Sequence, residues 1–152
     1  MSPERFIELV KAEQESLRRF LLALCGGDSS EADDIAQDAL VRAYVASGSF
    51  LGLSKFSTWL FRIAYNCYLD HKRKPSPETI PADSSQALRI PSADETDSSF
   101  RYQRLYQALD AIPEKEKAAI VLHYFEDRSI KEIASILQIP AGIAFFHLTD
   151  CF

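Results

Sequence analysis

Within residues 55–74, KFSTWLFRIAYNCYLDHKRK, five cations (Lys55, Arg62, Lys72, Arg73 and Lys74) stand against one carboxylate, Asp70, and are interleaved with Phe56, Trp59, Phe61, Tyr65 and Tyr68. Alternating rings and fixed positive charges suit single-stranded nucleic acid, because a base stacked on an aromatic face gains about 1–3 kcal/mol while Lys and Arg neutralise phosphates. Core packing explains part of the same pattern. Phe56, Leu60, Ile63 and Cys67 recur at helical spacing and can line a buried stripe with Trp59 packed beneath it. The rings outnumber what one stripe holds, so some of Phe61, Tyr65 and Tyr68 are expected to face outward.

Two further groups carry binding chemistry. Glu31, Asp33, Asp34 and Asp38 form an acidic stretch that serves either as a solvated face or as a dock for a basic or polar partner helix, with Gln37 supplying an amide hydrogen bond. Ser129-x-x-Glu132 is a capping box ahead of Ile130, Ile133, Ala134 and Leu137, and Ile139-Pro140-Ala141-Gly142 is expected to end that helix. A capped helix, a tight turn and a second segment of helical spacing make a helix-turn-helix arrangement, which is a DNA reader in some proteins and a plain packing unit in many. Catalysis finds no support. His71, His123 and His147 are scattered, and no nucleophile, base and orienting group align by spacing. Cys25, Cys67 and Cys151 are odd in number and lack CxxC or metal-ligand spacing, so neither a disulfide framework, a metal site nor a cofactor is expected.

The elements that must position these residues are helical. The first pattern opens at Ser2-Pro3, aligns Phe6, Val10, Leu17, Phe20, Leu21 and Leu24, and should stop at Gly26-Gly27. The second begins between Asp28 and Ser30, aligns Ala32, Ile35, Ala39, Leu40, Ala43 and Tyr44, and ends near Ser47-Gly48. A third runs from about Ser54 to the basic cluster, where the helix dipole favours cations. Residues 75–99, rich in Pro and Ser, read as an acidic flexible linker. Beyond it come an amphipathic stretch from Phe100 to about Asp110, a helix start at Pro113-Glu114, an apolar segment from Ala118 to Phe125, and the helix-turn-helix pattern. No period-two run of useful length occurs. The reading is all-α: two small helical domains, residues 1–74 and 100–152, joined by the linker. The net charge of −5 divides into zero over residues 1–74, −4 over 75–97 and −1 over 98–152, which leaves room for a local basic patch. The longest apolar run, residues 20–25, is far below the ~20 residues of a membrane span, so no membrane insertion and a cytoplasmic location are expected.

Asp33-Asp34-Ile35-Ala36-Gln37-Asp38-Ala39-Leu40-Val41-Arg42-Ala43-Tyr44 followed by Phe50-x5-Phe56-Ser57-Thr58-Trp59-Leu60-Phe61-Arg62-Ile63-Ala64-Tyr65-Asn66 resembles region two of bacterial RNA polymerase sigma factors of the extracytoplasmic-function (ECF) group. Ala108-Leu109-Asp110-Ala111-Ile112-Pro113-Glu114-Lys115-Glu116, His123-Tyr124-Phe125-Glu126-Asp127 and Ile130-Lys131-Glu132-Ile133-Ala134-x2-Leu137-x-Ile139-Pro140-x-Gly142 resemble region four of the same group. The resemblance implies a transcription initiation factor without enzymatic activity. Its partners would be core RNA polymerase, through the β′ clamp helices and the β flap, promoter DNA, and an anti-sigma protein. Carried over by position, polymerase binding falls on Asp34, Gln37, Asp38 and Arg42. Recognition and melting of the minus-ten element fall on the loop 49–55, including Ser54 and Lys55, and on Trp59, Arg62 and Asn66, with Lys72 and Arg73 on phosphates. The helix-turn-helix carries Ser129, Lys131, Glu132, Pro140 and Gly142.

One stretch departs from the family pattern. After Gly142 the family continues with Thr-Val and a helix bearing several Arg or Lys, whereas residues 143–152, IAFFHLTDCF, contain neither. Because phosphate neutralisation dominates DNA affinity, such a helix should hold duplex weakly. A frameshift or truncation of a longer reading frame is one expectation, and a genuine variant whose apolar end packs on its own domain or a partner is the other. The function expected is therefore promoter-directed initiation. The rival is a sigma-like interaction module that occupies polymerase, or a regulatory partner, without productive promoter recognition.

Overall fold

The computed structural model describes residues 1–73 and 96–150, and every element among them is helical. The expectation of a flexible linker falls largely outside the described residues; residues 96–99 lie within a helix. Helix α1 (Pro3–Leu24) starts where Ser2 Oγ accepts from the Arg5 N–H at 3.2 Å, with Pro3 in the first turn where no backbone donor is needed. It stops at Gly26 and Gly27, both at positive φ (65° and 88°). These glycines also permit a close approach, since an added Cβ would stand 2.8 Å from Asp110 Oδ2 at Gly26 and 2.8 Å from the Tyr106 ring at Gly27.

Helix α2 (Ser29–Ala46) is capped by Asp28, whose carboxylate accepts from the Glu31 N–H at 3.1 Å. Its buried stripe is Ala32, Ile35, Ala39 and Ala43, in which three alanines let neighbouring helices approach closely. Tyr44, aligned with that stripe in the sequence reading, is half-exposed and makes an edge contact with Phe6 at 5.4 Å. A 3-10 turn (Ser47–Ser49) leads through an exposed loop to α3 (Phe56–Arg73).

The second lobe comprises α4 (Thr96–Asp110), α5 (Glu114–Ile120), a π-helical turn (Val121–Phe125), α6 (Ile130–Leu137) and α7 (Ala141–Asp150). Ser129 Oγ caps α6 by accepting from the Glu132 N–H at 3.1 Å. Gln138, left-handed at φ 57°, ends it, and the Ile139 N–H returns to Ala134 O at 3.0 Å. Gly142 was expected in that turn but belongs to α7; the turn is built by Gln138, Ile139 and Pro140.

Helix α3 lies at the centre of the molecule. It packs on α1 and α2 along one side and on α6 along another, while α4 rests against the end of α1. The buried apolar side chains of both lobes consequently form one continuous cluster, from Phe20 and Phe61, stacked at 5.3 Å, to Leu122, Ile133 and Leu148. Each fully buried Leu, Ile or Phe contributes about 1.5–3 kcal/mol. The lobes share a core.

Candidate nucleic-acid interface

At about 100° per residue, Trp59, Arg62, Asn66 and Arg73 fall within an arc of roughly 60° on α3. Lys55, whose carbonyl accepts from the Trp59 N–H at 3.1 Å, continues this face into the loop before the helix, beside half-buried Ser54. The Trp59 indole is half-buried and braced by Phe50 at 5.1 Å and Phe56 at 5.6 Å between ring centroids, which fixes one face and leaves part of the ring accessible. Asn66 is half-buried and Arg73 exposed. Lys72 points elsewhere: its Nζ donates to Glu114 Oε1 at 2.9 Å and lies 5.3 Å from the Tyr68 ring centre.

The expected outward row of rings is absent. Phe61, Tyr65 and Tyr68 are all buried, leaving Trp59 as the only partly open ring of α3. The physical reason is a second cover. Phe61 is sandwiched between Phe20 of α1 and the Arg128 guanidinium, 4.7 Å from its ring centre, and Tyr68 donates to Glu114 Oε2 at 2.6 Å and also reaches Leu24 O at 3.2 Å. Burial pushes the Tyr65 phenol up to about 12, so it stays protonated. Rings assigned to solvent by counting stripes are taken up by the second lobe.

Three of the expected DNA contacts are occupied by that lobe, Lys72 among them through Glu114. Arg62 Nε donates to Ser135 O at 2.9 Å and its Nη2 to Ser135 Oγ, so the guanidinium is spent on α6. Lys55 Nζ lies 3.6 Å from Glu132, an exposed and individually weak pair. Sequence reasoning missed the residues that close the junction. Glu126, 2% exposed at its side chain, accepts both Arg19 Nε at 3.0 Å and Arg19 Nη2 at 3.1 Å. Arg128 donates to Ser57 Oγ at 2.9 Å and Glu13 Oε2 at 3.3 Å. Lys117, also 2% exposed, donates to Leu24 O at 3.0 Å and sits 3.4 Å from Asp110. No local signal singles them out: Lys117 follows Glu114-Lys115-Glu116 and Arg128 follows Glu126-Asp127, polar stretches in which a charge that becomes buried reads like a solvated one.

On α2, Asp34, Gln37 and Arg42 are exposed and Asp38 half-buried. Arg42 bridges Asp38 at 3.3 Å and Asp70 at 2.8 Å, and His71 Nε2 lies 3.6 Å from Asp38, so the lower half of this face is pre-set by α3. The sequence reading did not single out four exposed apolar side chains: Val41 and Val45, one turn apart on α2, and Leu51 and Leu53 in the loop, are 62–90% exposed. Exposed apolar side chains grouped as Val41 and Val45 are mark interaction surfaces.

In the helix-turn-helix, Ser129 and Glu132 serve the cap, while Lys131, Pro140 and Gly142 are exposed. Helix α7 buries Ala144 and Leu148 and exposes Ile143 and Phe145. Burial raises the Cys25 thiol to about 12 and the Cys67 thiol to about 11, so both pack as small apolar groups and not as thiolates. Among the described residues, no group of His, Cys, Asp or Glu has metal-binding geometry, and no helix is long and apolar enough to cross a membrane.

A helical bundle with a ring-and-cation face, followed by a helix-turn-helix lobe, defines a class of helical DNA-binding proteins. The sigma-70 region 2 family matches residues 9–77 and the sigma-70 region 4 family residues 102–144. The chain is similar to the ECF RNA polymerase sigma factor SigW of Bacillus subtilis, at 32% identity covering 91% of this chain and 80% of that protein. It is similar to ECF RNA polymerase sigma factor EcfG of Rhodopseudomonas palustris at 30%, covering 88% and 73%. The sigma factor RpoE of Bartonella quintana, solved in complex with the anti-sigma factor NepR, shares the fold with a TM-score of 0.75 over 97% of this chain and 91% of that one, at 23% identity. The chain belongs to the ECF group of the sigma-70 family, non-catalytic factors that direct transcription initiation to promoters.

Proposed function

We propose that this chain binds core RNA polymerase and both recognises and melts the minus-ten element, with residues 1–74 carrying both tasks, residues 75–99 linking, and residues 100–152 forming the helix-turn-helix lobe. The observation that carries the reading is the shared α3 face of Trp59, Arg62 and Asn66 beside the exposed loop before it. A base flipped from duplex costs a few kcal/mol of unstacking, which a braced indole, an amide and nearby cations offset. Polymerase is held by Asp34, Gln37, Asp38 and Arg42 against its β′ clamp helices, with the exposed pair Val41 and Val45 adding apolar area. The second lobe faces the β flap. RpoE of Bartonella quintana is held by an anti-sigma protein in its solved complex, and an anti-sigma partner is part of the same proposal for this chain.

Helix α7 contributes little to duplex affinity, since its residues 141–150 hold no Lys or Arg, so promoter choice rests mainly on the minus-ten element. That same observation favours a second reading, in which the chain occupies polymerase without productive initiation. Reconstituted holoenzyme on a promoter library decides between them: run-off transcripts support initiation, whereas retention of polymerase in a pull-down with transcripts at background supports the second reading.

A further inference from the structure

We propose that Asp70, near the C-terminal end of α3, is a positioning residue for polymerase docking: it holds the Arg42 guanidinium in place and so sets the α2 face that meets the clamp helices. The inference rests on the reading of α2 as the polymerase-binding helix. Asp70 is the one carboxylate of the cationic stretch 55–74, where a neutral or basic residue would serve phosphate binding better. Its reason lies across the helix contact. Ala39 and Ala43 of α2 and Cys67 of α3 are fully buried, so small side chains fill the packing between the two helices and the long Arg42 side chain can span from one to the other. Asp70 and His71 follow Cys67 by one helical turn, which places them at the rim of that contact.

At the rim, Arg42 Nη1 donates to Asp70 Oδ2 at 2.8 Å, while its Nη2 lies 3.3 Å from Asp38 Oδ2 and His71 Nε2 lies 3.6 Å from that same oxygen. The guanidinium is tied more closely to α3 than to its own helix, and the hydrogen bond to Asp70 is the foremost cause that raises its pKa above the ordinary arginine value. Asp34, Asp38 and Asp70 stand with one arginine, so with His71 neutral the face is net acidic and suits a basic partner surface. The four bridging side chains, Arg42, Asp70, Asp38 and His71, are 35–43% exposed. Exposed ion pairs add little to folding. What this network supplies is order, because a long side chain fixed before association loses less freedom on binding than one the partner must fix.

The test measures binding of the fluorescently labelled full chain to core RNA polymerase. Asp70→Asn removes the charge at nearly constant shape and should weaken binding about two- to tenfold, the scale of fixing one long side chain, and Asp70→Glu should recover most of the loss. Helical circular dichroism and melting temperature should stay at wild-type values in both. Arg42→Ala should itself weaken binding, and adding Asp70→Asn to it should cause no further loss, since Asp70 acts through the arginine. Additive losses would make Asp70 a direct polymerase contact and overturn the proposal. Wild-type affinity in Asp70→Asn or in Arg42→Ala would overturn it too, as would a loss that tracks a lowered melting temperature and that Asp70→Glu does not recover. Failure of the underlying reading is seen separately, because Asp38→Arg would then bind polymerase as tightly as wild type and Asp70 would have no contact surface to position.

Discussion

Trp59 and Asn66 sit on the open face of α3, whereas Asp38 sits on α2 in a cluster with Arg42 and His71, and this separation makes their roles experimentally distinct. Trp59→Ala removes a stacking surface worth about 1–3 kcal/mol, so promoter opening, followed by permanganate reactivity of unpaired thymines, should fall about tenfold or more with polymerase affinity nearly unchanged. Asn66→Ala should do the same to a lesser degree. Asp38→Arg should reverse the pattern, weakening polymerase binding while any holoenzyme formed still opens DNA; equal losses in both assays for all three would defeat this division. Glu114 is one of the carboxylates that link the lobes. Burial acts to raise its pKa, but the Tyr68 hydroxyl and Lys72 bonds and the nearby Lys117 charge outweigh burial and hold the carboxyl below the ordinary range. Its stabilising effect is therefore present above the usual carboxylate pKa of about 4.3 and is lost as pH falls through the lowered folded value. Melting temperature should drop as pH is taken from neutral into that acid range, and Glu114→Gln should flatten part of the drop; a slope identical to wild type would contradict the linkage.

At the scale of elements, starts were easier to read than stops. Ser2-Pro3, Asp28 and Ser129 mark three helix starts because a side-chain oxygen at the cap satisfies a backbone donor whatever the tertiary surroundings. Ser129→Ala should cost about 0.5–2 kcal/mol in urea unfolding, the usual loss of a cap. The end of α6 was misread because a glycine two residues past a proline resembled a stop, whereas a glutamine took the left-handed position one turn earlier. Gly26 is required for two reasons, its positive φ and its closeness to Asp110. Gly26→Ala should destabilise by about 1–2 kcal/mol from the backbone alone, while Gly48→Ala, with no heavy atom within 4 Å of the added carbon, should change the urea midpoint far less. The α2 face shows the limit of pattern reading: its acidic residues were legible, but the exposed pair Val41 and Val45 emerges only once the alanine stripe is known to be the buried side.

For the molecule as a whole, the decisive feature is that α3 is covered on two sides. The first lobe does not enclose four of the five α3 rings by itself, and the surplus is buried by Arg128, Glu114 and α6. Separating the lobes therefore exposes polar acceptors on one surface and aromatic and cationic groups on the other.

The sequence alone determined the helical class, the order of the elements, the family resemblance and the face of α3 on which Trp59, Arg62 and Asn66 meet. Each of these depends on interactions between residues a few positions apart: capping, helical period and local charge. Which rings are hidden, whom Arg62 and Lys72 bond, and how Glu126, Arg128 and Lys117 are satisfied were decided only by tertiary structure. Those contacts join residues 42 to 115 positions apart, and their existence depends on how one lobe lies against the other, a geometry that no local periodicity encodes.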